Sequence, residues 1–189
     1  IMSKFFDNYQ RLGRINNETV REILRKKIDE ETIIIDDFDH SKNGANKLLI
    51  HYAVEANNIE TLKLLIDKGA NVNKQTGDTK ETPLRIACEL ESELDNFPMV
   101  ELLLNNHADV DIEDYEGVTP LITVVGLGSE KMFQRILEVK PPPKELDPTN
   151  EKHELLLEVA NLGANQSIIN SLKKISKSGV RGYRKKTAK

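Results

Sequence analysis

Four histidines, one cysteine and several runs of acids are the residues of this chain whose types suit catalysis or metal binding. His40, His51, His107 and His153 stand far apart, without HExxH spacing or a clustered acid, so their pattern gives no metal site. Cys88 is alone, which excludes an internal disulfide and a multi-cysteine metal centre. It follows Ala87 in an apolar stretch and has no histidine partner at helical spacing, so it reads as a packed thiol. Gly126-Leu127-Gly128 looks like part of a phosphate loop, but the Gly-Lys-Ser/Thr ending and a preceding strand are missing. It reads better as a turn between helices. Glu89, Glu91, Glu93 and Asp95 alternate by two, which spreads them around a helix instead of pairing them. Asp109, Asp111 and Glu113 begin a calcium-loop pattern that the later positions break. The sequence predicts no enzyme, no metal and no cofactor.

The charge pattern says more. Of the 27 basic residues, eight lie after Glu158, where no acid occurs: Lys173, Lys174, Lys177, Arg181, Arg184, Lys185, Lys186 and Lys189. The other 19 face 31 acids, so residues 1–158 carry −12 while the whole chain carries only −4. An acidic body with a basic end is an interaction pattern. Length and composition set the frame: 189 residues favour one domain, and only 5% aromatic residues with no Trp favour helices over strands. No apolar run approaches the roughly 18 residues of a membrane span. Met2 to Asn8 shows no basic stretch followed by an apolar one, so a cleaved signal peptide is not expected. With a single cysteine, the expected setting is reducing and intracellular, in the cytoplasm or nucleus.

The elements that must carry these residues repeat. Leu48-Leu49-Ile50-His51-Tyr52-Ala53 aligns with Thr82-Pro83-Leu84-Arg85-Ile86-Ala87 and with Thr119-Pro120-Leu121-Ile122-Thr123-Val124, at spacings of 34 and 37 residues. Gly69-Ala70-Asn71-Val72-Asn73 aligns with His107-Ala108-Asp109-Val110-Asp111. Thr82 and Thr119 are suited to cap a helix start, with Pro83 and Pro120 at the first helical position. Ile59, Leu62, Leu65 and Ile66 fall on one helical face. Gly69 then ends that helix in a left-handed turn, and His107 stands at the matching place. From Ala53 to Gly69 is 16 residues but from Ala87 to His107 is 20, so an insertion sits around Glu91–Pro98, with Pro98 starting the next helix. Val139-Lys140-Pro141-Pro142-Pro143 replaces the third turn with an extended connection.

These motifs resemble the ankyrin repeat, whose signature is Thr-Pro-Leu-His, a leucine pair and Gly-Ala-Asp-Val-Asn. The resemblance is clearest over residues 47–137. It implies an all-α solenoid of about five stacked helix-turn-helix units with β-turn loop tips. The boundaries expected are a degenerate N-terminal repeat over 3–46, repeats over 47–81 and 82–118, a degenerate repeat over 119–150 and a partial repeat over 151–175. In the first of these, Phe5, Phe6, Tyr9 and Leu12 would form one helix, and Val20, Ile23, Leu24 and Ile28 would face inward from a second. In the last, Leu155, Leu156, Val159 and Ala160 form one stripe and Ile168, Ile169, Leu172 and Ile175 the next. Residues 176–189 are expected to be a flexible basic tail.

The resemblance also implies a function: protein–protein recognition through loop tips and the exposed face of each first helix. His51 occupies the signature histidine, for which a structural hydrogen bond is implied. Carried over to this sequence, the partner-binding positions are Phe38 and Asp39 in the first tip, Lys74, Gln75 and Asp78 in the second, and Glu113, Asp114, Tyr115 and Glu116 in the third. Glu55, Glu89 and Leu90 lie on the helices, with Phe97 beside them. Large side chains in an acidic surround suit a basic segment of a partner protein. A second reading moves function to the tail, where Arg181, Arg184, Lys185 and Lys186 would bind nucleic acid, an anionic membrane or an import receptor. The acidic body argues against nucleic acid, and the tail could instead fold back on the acidic face and compete with the partner. The chain is expected to be a monomer. Its Asn-, Lys- and Ile-rich style is similar to ankyrin proteins of intracellular bacteria and large viruses, which would place a host-directed effector in the host cytoplasm.

Overall fold

The computed structural model describes residues 18–30, 35–36, 46–90, 96–163 and 165–187, with side chains described throughout except at 18–20, 23 and 178–187. The helix expected at Phe5–Leu12, the first loop tip with Phe38 and Asp39, and the insertion Glu91–Asp95 lie outside the described residues. Among those residues every regular element is helical. The chain divides into two compact units, Ile1–Gly117 and Val118–Lys189.

The first unit holds α1 (Glu18–Asp29), α2 (Leu49–Glu55), α3 (Ile59–Asp67), α4 (Pro83–Glu89) and α5 (Phe97–Asn105). Helices α2 and α3 pair, as do α4 and α5, and the pairs stack α2 on α4 and α3 on α5. The starts follow the sequence signals. Thr82 Oγ1 accepts from the Arg85 N–H at 3.2 Å, with Pro83 at the first helical position. Asn58 Oδ1 does the same for Thr61 at 3.0 Å. The ends follow too: Gly69 has φ of +91° and His107 of +65°, the left-handed conformation needed to reverse the chain. The core is aliphatic, with Leu49, Leu62, Leu65, Leu84, Met99 and Leu103 all fully buried. Cys88 is buried and in no disulfide, as its apolar neighbours imply.

Leu48 stands where the other repeats have threonine, so α2 starts without a side-chain cap of that kind. His51 supplies the missing bonds. Its Nδ1 accepts from the Leu48 N–H at 3.0 Å, which leaves Nε2 protonated to donate to the Lys74 carbonyl at 2.9 Å. The ring is therefore neutral, and burial, helped by the nearby Lys47 charge, pushes its pKa down from 6.5 to about 4 against the pull of the Lys74 carbonyl.

The second unit holds α6 (Pro120–Leu127), α7 (Glu130–Leu137), a 3₁₀ turn (Lys144–Leu146), α8 (Lys152–Leu162) and α9 (Gln166–Thr187). Gly128, at φ of +71°, ends α6 as a left-handed cap, so Gly126-Leu127-Gly128 is a helix end and turn. The triple proline runs through bends into the 3₁₀ turn, whose Glu145 and Leu146 are buried. His153 ties the pieces: its Nδ1 donates to the Glu145 carbonyl at 2.8 Å and its Nε2 meets Ser176 Oγ at 2.7 Å. Asn165 caps α9 and donates to the Gly128 carbonyl at 2.7 Å.

Two expectations change in this unit. Leu156 and Ala160 of the expected inward stripe are buried, but Leu155 turns outward and is 43% exposed. The tail expected to be flexible from 176 is helical to Thr187. No proline interrupts it, and cations in the last turns of a helix oppose its negative dipole end.

Two stability predictions follow from these contacts. His51 gives the fold stability that is fully present above pH 6.5 and is lost as pH falls toward 4. Urea unfolding of the wild type and His51→Gln should diverge over that range by about 3 kcal/mol, and parallel curves would refute the neutral buried ring. At Gly163 a Cβ would stand 2.9 Å from the Gly126 carbonyl oxygen and 3.0 Å from that of Val125, both backbone atoms. Gly163→Ala should therefore cost about 1–3 kcal/mol in the same assay.

Candidate protein-binding surface

In the first unit two loop tips share one hydrogen-bond system. Residues 74–81 close on themselves through the Thr76 N–H donating to the Glu81 carbonyl at 2.9 Å. The Gly77 N–H donates to the Asn46 carbonyl at 2.8 Å, and the chains pass so closely that a Cβ on Gly77 would clash with the Asn46 side chain. The next tip, 113–116, attaches twice. Gln75 Nε2 donates to the carbonyls of Lys80 and Glu113 at 2.7 and 2.8 Å, and the Tyr115 N–H donates to the Thr79 carbonyl at 3.0 Å.

Arg85 holds this system from below. Its guanidinium, on α4, contacts Glu81 at 3.2 Å, Glu89 at 2.6 Å and Asp114 at 3.1 Å. Asp114 is buried and uses its other oxygen to accept the Glu116 N–H at 2.9 Å. The ion pair so fixes the turn that presents Tyr115, which is 68% exposed. The Tyr115 hydroxyl donates to Glu116 at 3.0 Å, and this bond, together with the Glu116 charge, pushes the phenol pKa above 10.

The structure thus brings together Gln75, Asp78, Glu89, Glu113, Asp114, Tyr115 and Glu116, but not all in the role expected. Asp114 was assigned to partner contact and is instead a buried internal counter-ion. Gln75 uses its amide to join the two tips. Lys74 is half-buried and its carbonyl serves His51. Asp78, Glu113, Tyr115 and Glu116 are exposed, while Leu90 and Phe97 are half-buried. Glu55 lies on α2, paired with Lys47 at the start of its own helix. Arg181, Arg184, Lys185 and Lys186 lie on α9, with side chains outside the described residues. Arg85, the organising residue, was missed. Its signal was present: it occupies the slot of His51, with Glu81 four residues before it and Glu89 four after.

A profile of ankyrin repeats, three copies long, matches residues 13–114 and 50–147. The chain belongs to the ankyrin-repeat family. Ankyrin repeats are in general protein–protein interaction modules. The chain is 42% identical over 91 residues to the nuclear factor NF-kappa-B p105 subunit of Gallus gallus, a match covering 48% of this chain and 9% of that protein. It is 34% identical over 115 residues to the regulatory protein NPR5 of Arabidopsis thaliana, covering 59% and 23%. With the BTB/POZ domain and ankyrin repeat-containing protein NPR5 of Oryza sativa subsp. japonica it shares 32% over 126 residues, covering 66% and 22%. The chain therefore spans less than a quarter of the length of these relatives. Among the described residues no helix is long and apolar enough to cross a membrane, and no group of His, Cys, Asp and Glu is placed to hold a metal ion.

Removing the Arg85 side chain leaves three carboxylates facing one another, one of them buried. Arg85→Ala should cost about 2–4 kcal/mol in urea unfolding, and a loss under about 0.5 kcal/mol would show that the cluster is not structural.

Proposed function

We propose that the tips at 74–81 and 113–116, with Glu89 and Leu90 beside them, capture a basic segment of a partner protein. The observation that carries this reading is the exposed ring of Tyr115, held at the backbone by Thr79 and flanked by the exposed carboxylates of Glu113 and Glu116. A fixed aromatic side chain loses little conformational entropy on binding, and so can act as an anchor. The acids around it draw a cationic segment in and select against acidic ones. Arg85 does not cancel this field, because three carboxylates surround the one guanidinium.

The test uses arrays of Lys- and Arg-rich 15-residue peptides, with the tightest-binding one measured by fluorescence anisotropy. Tyr115→Ala should weaken binding about tenfold. Glu113→Lys with Glu116→Lys should weaken it similarly and flatten its salt dependence. Asp114 is left intact in these variants because its loss would unmake the loop. Peptide affinity indifferent to both variants, with the fold intact by circular dichroism, would refute this surface.

A further inference from the structure

The second unit carries an exposed acidic stripe on one helix and a run of cations on another. On α8, His153, Leu156 and Ala160 are buried, whereas Glu151 just before the helix and Glu154, Leu155, Glu158, Asn161 and Leu162 on it are exposed. Those six positions fall at intervals of three and one, which is a single stripe along a helix. The stripe places three carboxylates beside two leucines that are 43% and 81% exposed. Among the described residues, Glu151, Glu154 and Glu158 have no cation and no hydrogen-bond donor opposite them. Leu162 at 81% exposure gains nothing from its position in the isolated chain.

The other surface is the far end of α9. This helix has 22 residues against 11 in α8. Its first half is anchored by Ile168, Ile169, Leu172 and Ile175, all buried. Ser176 meets His153, one residue into α8, so the two helices part company there. From Lys177 to Thr187 the helix continues for about 16 Å beyond that point. Lys173 and Lys177 are exposed and one turn apart, and the sequence adds Arg181, Arg184, Lys185 and Lys186 on the same helix. Residues 159–189 contain no Asp or Glu. Helix α9 is continuous from Gln166 to Thr187 and passes the start of α8 at Ser176, so its later, basic half is not paired along α8 in the same copy.

We propose that the acidic stripe on α8 docks the basic end of α9 from a second copy of this chain. The charges match, the helical end is long enough to lie along three turns of α8, and Leu155 and Leu162 give the contact an apolar part. The contact is head-to-tail: each copy offers one stripe and one helix end. It therefore propagates or closes into a ring, unlike a two-fold dimer. A three-turn helix on one stripe buries less than a stable interface of roughly 1,200 Å² needs, so association is weak, concentration-dependent and sensitive to salt.

Sedimentation velocity of the full chain tests this at concentrations up to about 300 µM, a range matched to weak interfaces. At low salt the mass should rise above the 21.4 kDa of one copy, and it should return there at high salt. Two variants sharpen the result: Glu151→Lys/Glu154→Lys/Glu158→Lys, and Lys173→Glu/Lys177→Glu/Arg181→Glu. Each should stay at the mass of one copy alone, with helix content intact by circular dichroism. Mixed, they should associate, because each keeps the surface that the other has lost. A wild type of single-copy mass throughout, variants that still self-associate, or a mixture that does not associate would each overturn the proposal. None of these outcomes depends on Tyr115 or its loop.

Discussion

The side chain of Asn73 sits at the centre of a problem that every stacked turn has to solve. Its Oδ1 accepts from the Asp109 N–H at 2.8 Å and its Nδ2 donates to the His107 carbonyl at 3.3 Å, both one repeat further along the chain. Asp36 does the same one repeat earlier by accepting from the Asn71 N–H. A helix pair followed by a tight turn exposes backbone groups that its own hydrogen bonding cannot use, and each bond made to them contributes about 0.5–1.5 kcal/mol. Here the next turn uses them. Stability and the spacing of the loop tips consequently have one origin, since moving one tip would strip hydrogen bonds from its neighbour.

The same constraint accounts for two unusual side chains of the first unit. His51 and Arg85 occupy equivalent places on successive first helices, and each reaches from its helix to a loop. His51 does this as a neutral ring between two backbone groups. Arg85 does it as a cation among three carboxylates. The choices have different physical consequences: the ring ties stability to pH, because protonation removes the acceptor for the Leu48 N–H. The guanidinium instead forks to several carboxylates, and its grip on Asp114 depends on the acids around it. Within one family slot, then, the chain uses two chemistries for one mechanical task.

How far the sequence could be read follows from which forces are local. The Thr-Pro starts and the left-handed turns at Gly69 and His107 depend on residues within a few positions, and all were legible. Asp114 was not. Its neighbours Glu113 and Glu116 are exposed, and nothing in a run of four polar residues marks the one that turns inward to meet a cation 29 positions earlier. Leu155 was misread for the opposite reason. Its spacing fits a buried stripe, but burial needs a neighbouring element, and among the described residues none covers that side of α8. The tail was read from its composition, and its glycines and cations weaken a helix only modestly when the first half is already nucleated on a packed core.

Separating structural from available charge alters what the acidic loops can select. Glu81, Glu89 and Asp114 belong first to Arg85, and an estimate of the surface field that counted them as free would exaggerate it. Three carboxylates around one guanidinium still leave the cluster at −2, and Asp78, Glu113 and Glu116 add to that from the solvent side. The inner group is fixed by Arg85 and sets a constant background, while the outer three are exposed to solvent. Under the binding proposed for these tips, selection is electrostatic at long range and geometric at short range, with Tyr115 held where both act.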